Sequence, residues 1–173
     1  MRALVVYESM FGNTQVVAKA IAAGLSRHLD VDTVEVGAAP TRLPSDLDLL
    51  VVGGPTHAFG LSRASTRRDA ARQADRPLVS AGIGLRDWLA KLELSGGHTV
   101  AATFDTRVQH VPGSAANAAA RRLERHGILP IAVPTSFFVK GTPGPLEDGE
   151  LMRAREWGSM LGTRFQIRAG HLT

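Results

Sequence analysis

The chain has no cysteine among its 173 residues, which excludes disulfides, thiolate chemistry and cysteine-based metal sites. Aromatic residues are few, with two Trp, one Tyr and six Phe. Platforms for stacked bases are therefore scarce, no nucleic-acid reader motif is recognisable, and no nucleic-acid partner is expected. No apolar run approaches the length of a membrane span, so no membrane partner is expected. No secretory leader pattern precedes the first strand, so the cytoplasm is the expected location. The six histidines show no HExxH or similar spacing, so no metal site is expected. Lysine is scarce too, because arginine supplies 17 of the 20 basic residues.

What is present suits a globular domain. Hydrophobic residues make up 44% and mean hydropathy is -0.00. The length predicts one domain, residues 1–173, with a sizeable core. Net charge is +4 and the pI about 10.3. An arginine and alanine bias of this kind fits either genome composition or a functional basic surface.

The stretch Val5–Lys19 organises the rest. An apolar strand, Leu4–Tyr7, runs into the loop Ser9-Met10-Phe11-Gly12-Asn13-Thr14, and an amphipathic helix follows to about Arg27. The first N–H groups of a helix lack internal partners and carry partial positive charge, so such a loop can capture phosphate. Ser9, Asn13 and Thr14 add side-chain donors, and Gly12 permits a tight turn. The loop is not a Walker loop, which needs Lys before the Ser/Thr, and with one glycine it is not GxGxxG. The alternative is a plain N-cap turn after a buried strand.

Further strands are expected at Val31–Val36, Leu49–Val52, His98–Phe104 and within Pro130–Val139. Helices are expected at about Thr66–Ala74, Leu85–Leu92, Ser114–His126 and Gly149–Phe165. Ala38–Pro44 reads as a turn, with a short helical turn near Pro44–Leu47, and the tail Arg168–Thr173 reads as loose. Trp157 falls on an apolar helix stripe and reads as core. There is no internal repeat. The alternation predicts an α/β fold with a parallel sheet covered on both faces. Five such strands suit the order 2-1-3-4-5, with the site outside the carboxyl ends of strands one and three.

Three loops fall at strand ends: SMFGNT, GGPTHAFG and TFDTRVQHVPGSA. The first resembles the flavodoxin phosphate loop, Ser/Thr-x-Thr-Gly-x-Thr, at Ser9, Gly12 and Thr14, and departs from it at Phe11. Its Ser-Met-aromatic-Gly order, like the second loop, resembles the flavodoxin-like NAD(P)H:quinone oxidoreductases. The resemblance implies a three-layer flavodoxin-like sandwich that binds FMN. Ser9, Phe11, Gly12, Asn13 and Thr14, with the Met10 backbone, would cradle the phosphate. Pro55, Thr56, His57, Ala58, Phe59 and Gly60 would flank the isoalloxazine from one side. Thr103, Phe104, Asp105 and Thr106 would flank the ribityl chain and ring from the other. Phe59 is the stacking candidate or a core aromatic, and Phe104 is a ring contact or core.

The protein's part is then to hold and tune the flavin. The arginine-rich character implies a higher potential than an acidic flavodoxin would show. His57 is a proton donor near the ring or a structural hydrogen-bond partner. The basic run Arg63–Arg76 would dock an acidic redox protein, contact the phosphates of NAD(P)H, or form a solvated helix face. Three functions stay open: an FMN electron-transfer protein, an NAD(P)H-dependent FMN quinone reductase, and a flavodoxin-fold binding module that has lost FMN.

Overall fold

The computed structural model describes residues 1–170. Along the chain run β1 (Arg2–Tyr7), α1 (Asn13–Leu25), β2 (Asp30–Glu35), β3 (Arg42–Leu43), β4 (Leu49–Pro55), α2 (Ala64–Gln73), α3 (Leu85–Ala90), β5 (Glu93–Leu94), β6 (Val100–Val108), α4 (Ala115–Arg125), β7 (Leu129–Pro130), β8 (Thr135–Val139) and α5 (Glu150–Gly170). The main sheet is parallel, in the order β2-β1-β4-β6, with β7 and β8 both on the far edge of β6. The expected order 2-1-3-4-5 is therefore present, with its fifth strand in two pieces.

The break in that strand has a cause in the sequence. Pro130 and Pro134 cannot donate ladder hydrogen bonds, so pairing stops between them. β7 pairs with Val100 and Ala101, and β8 resumes opposite Phe104–Val108. A second small sheet, β3 with β5, forms where only a turn was expected. The helical turn expected at Pro44–Leu47 is a single hydrogen-bonded turn, Leu47 N–H to Pro44 O at 3.2 Å. α5 continues helically past Phe165 to Gly170, which includes part of the expected loose tail; residues 171–173 lie outside the described residues.

β1 is apolar on both faces because both faces are covered. Val5 and Tyr7 face the layer of α1 and α5, with Val51, Phe104, Phe137, Trp157 and Leu161. Leu4 and Val6 face the other layer, with Leu50, Val52, Leu85, Trp88 and Leu123. Trp157 is core, as expected. With Phe104 and Phe137 it forms a triangle of edge-to-face rings, centroids 6.0 to 6.3 Å apart. α1 and α5 approach at backbone distance: a Cβ on Gly158 would overlap the Ile21 carbonyl, and one on Gly24 the Arg155 carbonyl.

Candidate functional site

At the carboxyl edge of β1, β4, β6 and β8 lies a cavity of about 220 Å³. It is lined by Ser9, Met10, Phe11, Asn13 and Thr14 from the first loop, by Pro55, Thr56 and His57 from the second, and by Thr106 from β6. The first two loops predicted from the sequence therefore meet.

The first loop is held from behind. Ser9 N–H donates to Ser80 Oγ at 2.9 Å, Ser80 N–H returns to Ser9 O at 2.8 Å, and Val79 N–H reaches Met10 O at 3.1 Å. Gly12, at φ 98°, turns the chain into α1. The Gly12 and Gln15 amides donate to Ser9 Oγ at 3.2 and 3.3 Å. No acceptor for the Asn13 and Thr14 amides occurs among the described residues. These are the orphan donors that open a helix and attract an anion. Thr14 and Thr106 share one hydrogen bond, Oγ1 to Oγ1 at 2.7 Å, which leaves one of the two protons for a ligand. Ser9 Oγ accepts twice, so its own proton is likewise available. A neutral cup with several unspent donors fits a phosphate group.

The second loop closes as a tight turn. His57 N–H donates to Gly60 O at 2.8 Å, and Gly60 N–H returns to His57 O at 3.0 Å. Its central residues, Ala58 and Phe59, sit at φ 43° and 75°, a conformation such a turn demands but non-glycine residues rarely adopt. Phe59 is 69% exposed at the tip, so it is not tucked into the core. It stands at the rim beside Ala58 and Gly60, outside the cavity lining. Gly113 supports it from below, where any Cβ would strike the Phe59 backbone. Burial, and secondarily the charge of Arg67, push the His57 pKa below its ordinary 6.5. Both effects favour the neutral form of the His57 imidazole.

The third loop starts later than the sequence suggested. β6 pairs with β4 as far as Pro55↔Thr106 and with β8 as far as Val108↔Val139, so Thr103, Phe104 and Asp105 belong to the strand. Among Thr103–Thr106, only Thr106 lines the cavity. Phe104 is fully buried in the aromatic triangle and is core rather than a lining residue. Thr103 is buried inside the sheet. Asp105 is buried and works from behind the wall. Its Oδ2 accepts from Ser114 Oγ at 2.6 Å, Ala116 N–H at 3.0 Å and Thr56 Oγ1 at 3.1 Å. Thr56 Oγ1 in turn accepts from Ala115 N–H at 2.9 Å. One carboxylate thereby ties the second loop to the start of α4.

Two contributors lie outside the residues expected to hold the cofactor. Arg107 clamps the third loop, with Nη1 donating to Val111 O at 2.9 Å and Gly113 O at 3.1 Å, and Nε to Ser136 Oγ at 3.0 Å. A fourth loop after β8 brings Gly141, Thr142 and Pro143 to the cavity. Asn13 Nδ2 donates to Pro143 O at 2.6 Å, so one predicted phosphate ligand already fastens this loop. The rule that sites gather at strand carboxyl ends applied to the Gly/Pro segment Lys140–Pro145 and would have found it.

A parallel sheet in this order, with a cup of free hydrogen-bond donors at the start of the first helix, defines a flavodoxin-like protein. A family model for flavodoxin matches residues 5–109, more than half the chain, and the chain belongs to the flavodoxin family. Solved structures agree on the fold. Oxidised flavodoxin 1 from Bacillus cereus is 17% identical, with a TM-score of 0.66 over 94% of this chain and 98% of that one. A flavodoxin from the domain Archaea is 17% identical, with a TM-score of 0.64 over 96% and 99%. Rubredoxin oxygen:oxidoreductase from Desulfovibrio gigas is 15% identical, with a TM-score of 0.62 over 97% of this chain and 37% of that one. No curated protein matches. Among the described residues no helix is long and apolar enough to cross a membrane.

Proposed function

We propose that the chain acts as one flavodoxin-like domain that binds FMN and carries electrons between redox partners in the cytoplasm. The observation that carries this reading is the set of unspent donors around the start of α1: the Asn13 and Thr14 amides and the hydroxyls of Ser9, Thr14 and Thr106. FMN supplies electron-transfer chemistry when bound, and the residues of the chain supply its seat. Ser9, Met10, Phe11, Gly12, Asn13 and Thr14 would take the phosphate. Pro55, Thr56, His57, Ala58, Phe59 and Gly60 would flank the ring, and Thr106 the ribityl chain. Neutral His57 offers the ring an uncharged hydrogen-bonding group. Thr103, Phe104 and Asp105 would act only through the wall they build.

Titration of the purified chain with FMN tests this. One equivalent should bind, quench flavin fluorescence and turn the protein yellow. Thr14→Leu should weaken FMN by at least about a hundredfold while riboflavin, which lacks the phosphate, binds both proteins alike. Circular dichroism checks that the variant folds. Failure of FMN to bind at any concentration would leave a flavodoxin-fold module without flavin. Oxidation of NADPH with a quinone by the loaded protein would make it a reductase instead of a carrier.

A further inference from the structure

The arginines are distributed differently from what the sequence suggested. In the run Arg63–Arg76, two of the five guanidinium groups pair with acids of the same chain. Arg67 pairs with Asp87 at 3.0 Å and Arg72 with Asp69 at 3.2 Å. The other three, Arg63, Arg68 and Arg76, form no ion pair among the described residues, and a second cluster without ion pairs lies on α4 and α3. Arg122 has Arg86, Arg121 and Arg125 close enough that, after its partial burial, their charges press its pKa below the ordinary 12.5. Among the described residues none of these four forms an ion pair. Glu124, the only acid on α4, pairs with none of them. Like charges held together without counter-charges destabilise the isolated fold.

The cluster is continuous with the cavity rim. A Cβ on Gly60 would lie 3.8 Å from Ala118 Cβ. Ala118, Arg121, Arg122 and Arg125 follow at helical spacing, so they form one stripe leading away from the Phe59 turn. Arg86 is fixed beside that turn, with Nη2 donating to Leu61 O at 2.8 Å and Nε to Ser62 O at 3.1 Å. The result is an exposed aromatic at the mouth of the site, flanked by a strip of unpaired guanidinium groups. Aromatic residues and arginine are the types enriched where proteins meet proteins. Nucleic acid would want several aromatic platforms or a reader helix, and the strip has a single phenyl ring.

We propose that Arg86 and the Arg121–Arg122–Arg125 stripe form the docking surface for an acidic partner protein, which they bring against the Phe59 rim. That the partner is a redox protein rests on the carrier reading above; that it is acidic rests on the stripe alone. Opposite charge at such a surface speeds encounter and fixes orientation.

The test measures binding of a strongly acidic [2Fe–2S] ferredoxin to the full chain, with and without FMN, by isothermal titration calorimetry at about 50 mM salt, where screening is modest. The wild-type chain should bind, and R121E/R125E should bind at least about tenfold more weakly. R164E/R168E on α5 changes net charge equally and should bind as the wild type does. Circular dichroism and FMN affinity report that the variants fold. The proposal is overturned by no binding of the ferredoxin, by equal loss in both double variants, or by a DNA duplex binding more tightly than the ferredoxin and losing affinity in R121E/R125E. If FMN fails to bind but the ferredoxin result holds, the carrier reading falls and the docking surface stands.

Discussion

Glu8 follows β1 directly and is 1% exposed. Its carboxylate accepts from the Ser62 hydroxyl and, at 2.8 Å, from Leu85 N–H, so it ties the root of the first loop to the start of α3. Burial pushes its pKa above the ordinary 4.5 and outweighs these hydrogen bonds and the charge of Arg67, which pull the other way. The folded state therefore holds the Glu8 proton more tightly than the unfolded chain does. Its contribution to stability is complete below the unfolded pKa and is lost as pH rises through the folded one. In denaturant unfolding, the stability of wild type relative to Glu8→Gln should fall by about 1.4 kcal/mol per pH unit across that window. Gln can keep both partners by accepting from Leu85 and donating to Ser62. Parallel pH profiles for the two proteins would show that Glu8 keeps its ordinary pKa. Asp105 is a second buried carboxylate that joins separate elements. Asp105→Ala leaves the Ala116 amide and two hydroxyls without their acceptor and should cost about 3 kcal/mol. A loss under about 1 kcal/mol would mean that water replaces it readily.

At the scale of elements, the α1–α5 contact is the one that tolerates least. The carbonyl of Ile21 occupies the space where a side chain on residue 158 would begin, so Gly158→Ala must push two helices apart. Overpacking of this kind costs about 1–3 kcal/mol, and thermal unfolding of the variant should show it. An unchanged melting temperature would mean that the helices slide at no cost. α2 is the opposite case, with Ala70 as its only buried residue. Its amides should exchange with solvent far faster than those of α1. Periodicity exposed the long elements because both faces of the sheet are apolar and the helices carry clear stripes. The ends of α4 are set by local chemistry, with Ser114 Oγ accepting from Asn117 N–H at 3.1 Å at its start and Gly127 at φ 81° just past its end. The end of β6 was not legible. Whether Asp105–Val108 forms strand or loop depends on partners in β4 and β8 that lie about thirty to fifty residues away in sequence. The role of Glu8 was hidden too, because an acid after a strand looks like a surface residue until α3 folds over it.

Across the whole molecule the charges are not mixed evenly. The site itself has an uncharged cup of hydrogen-bond donors at the start of α1, a His57 whose burial favours the neutral ring, and an Asp105 held behind the wall, while the arginine stripe of α4 runs away from its rim. The field at a bound flavin therefore combines a short-range part, which salt cannot reach, and a longer-range positive part from the surface. The positive part would favour a more negative, reduced flavin and raise its potential. Its reach is a Debye length, roughly 30 Å at 10 mM salt and 3 Å at 1 M. The midpoint potential of the FMN-loaded chain should accordingly fall as ionic strength rises over that range. The flavin potential of R121E/R125E should respond to salt less steeply, because the net positive charge that salt screens is then smaller. A redox titration at the two ionic strengths measures both. A potential that rises with salt would mean that the field at the flavin is negative, and that the local carboxylates outweigh a surface of net charge +4.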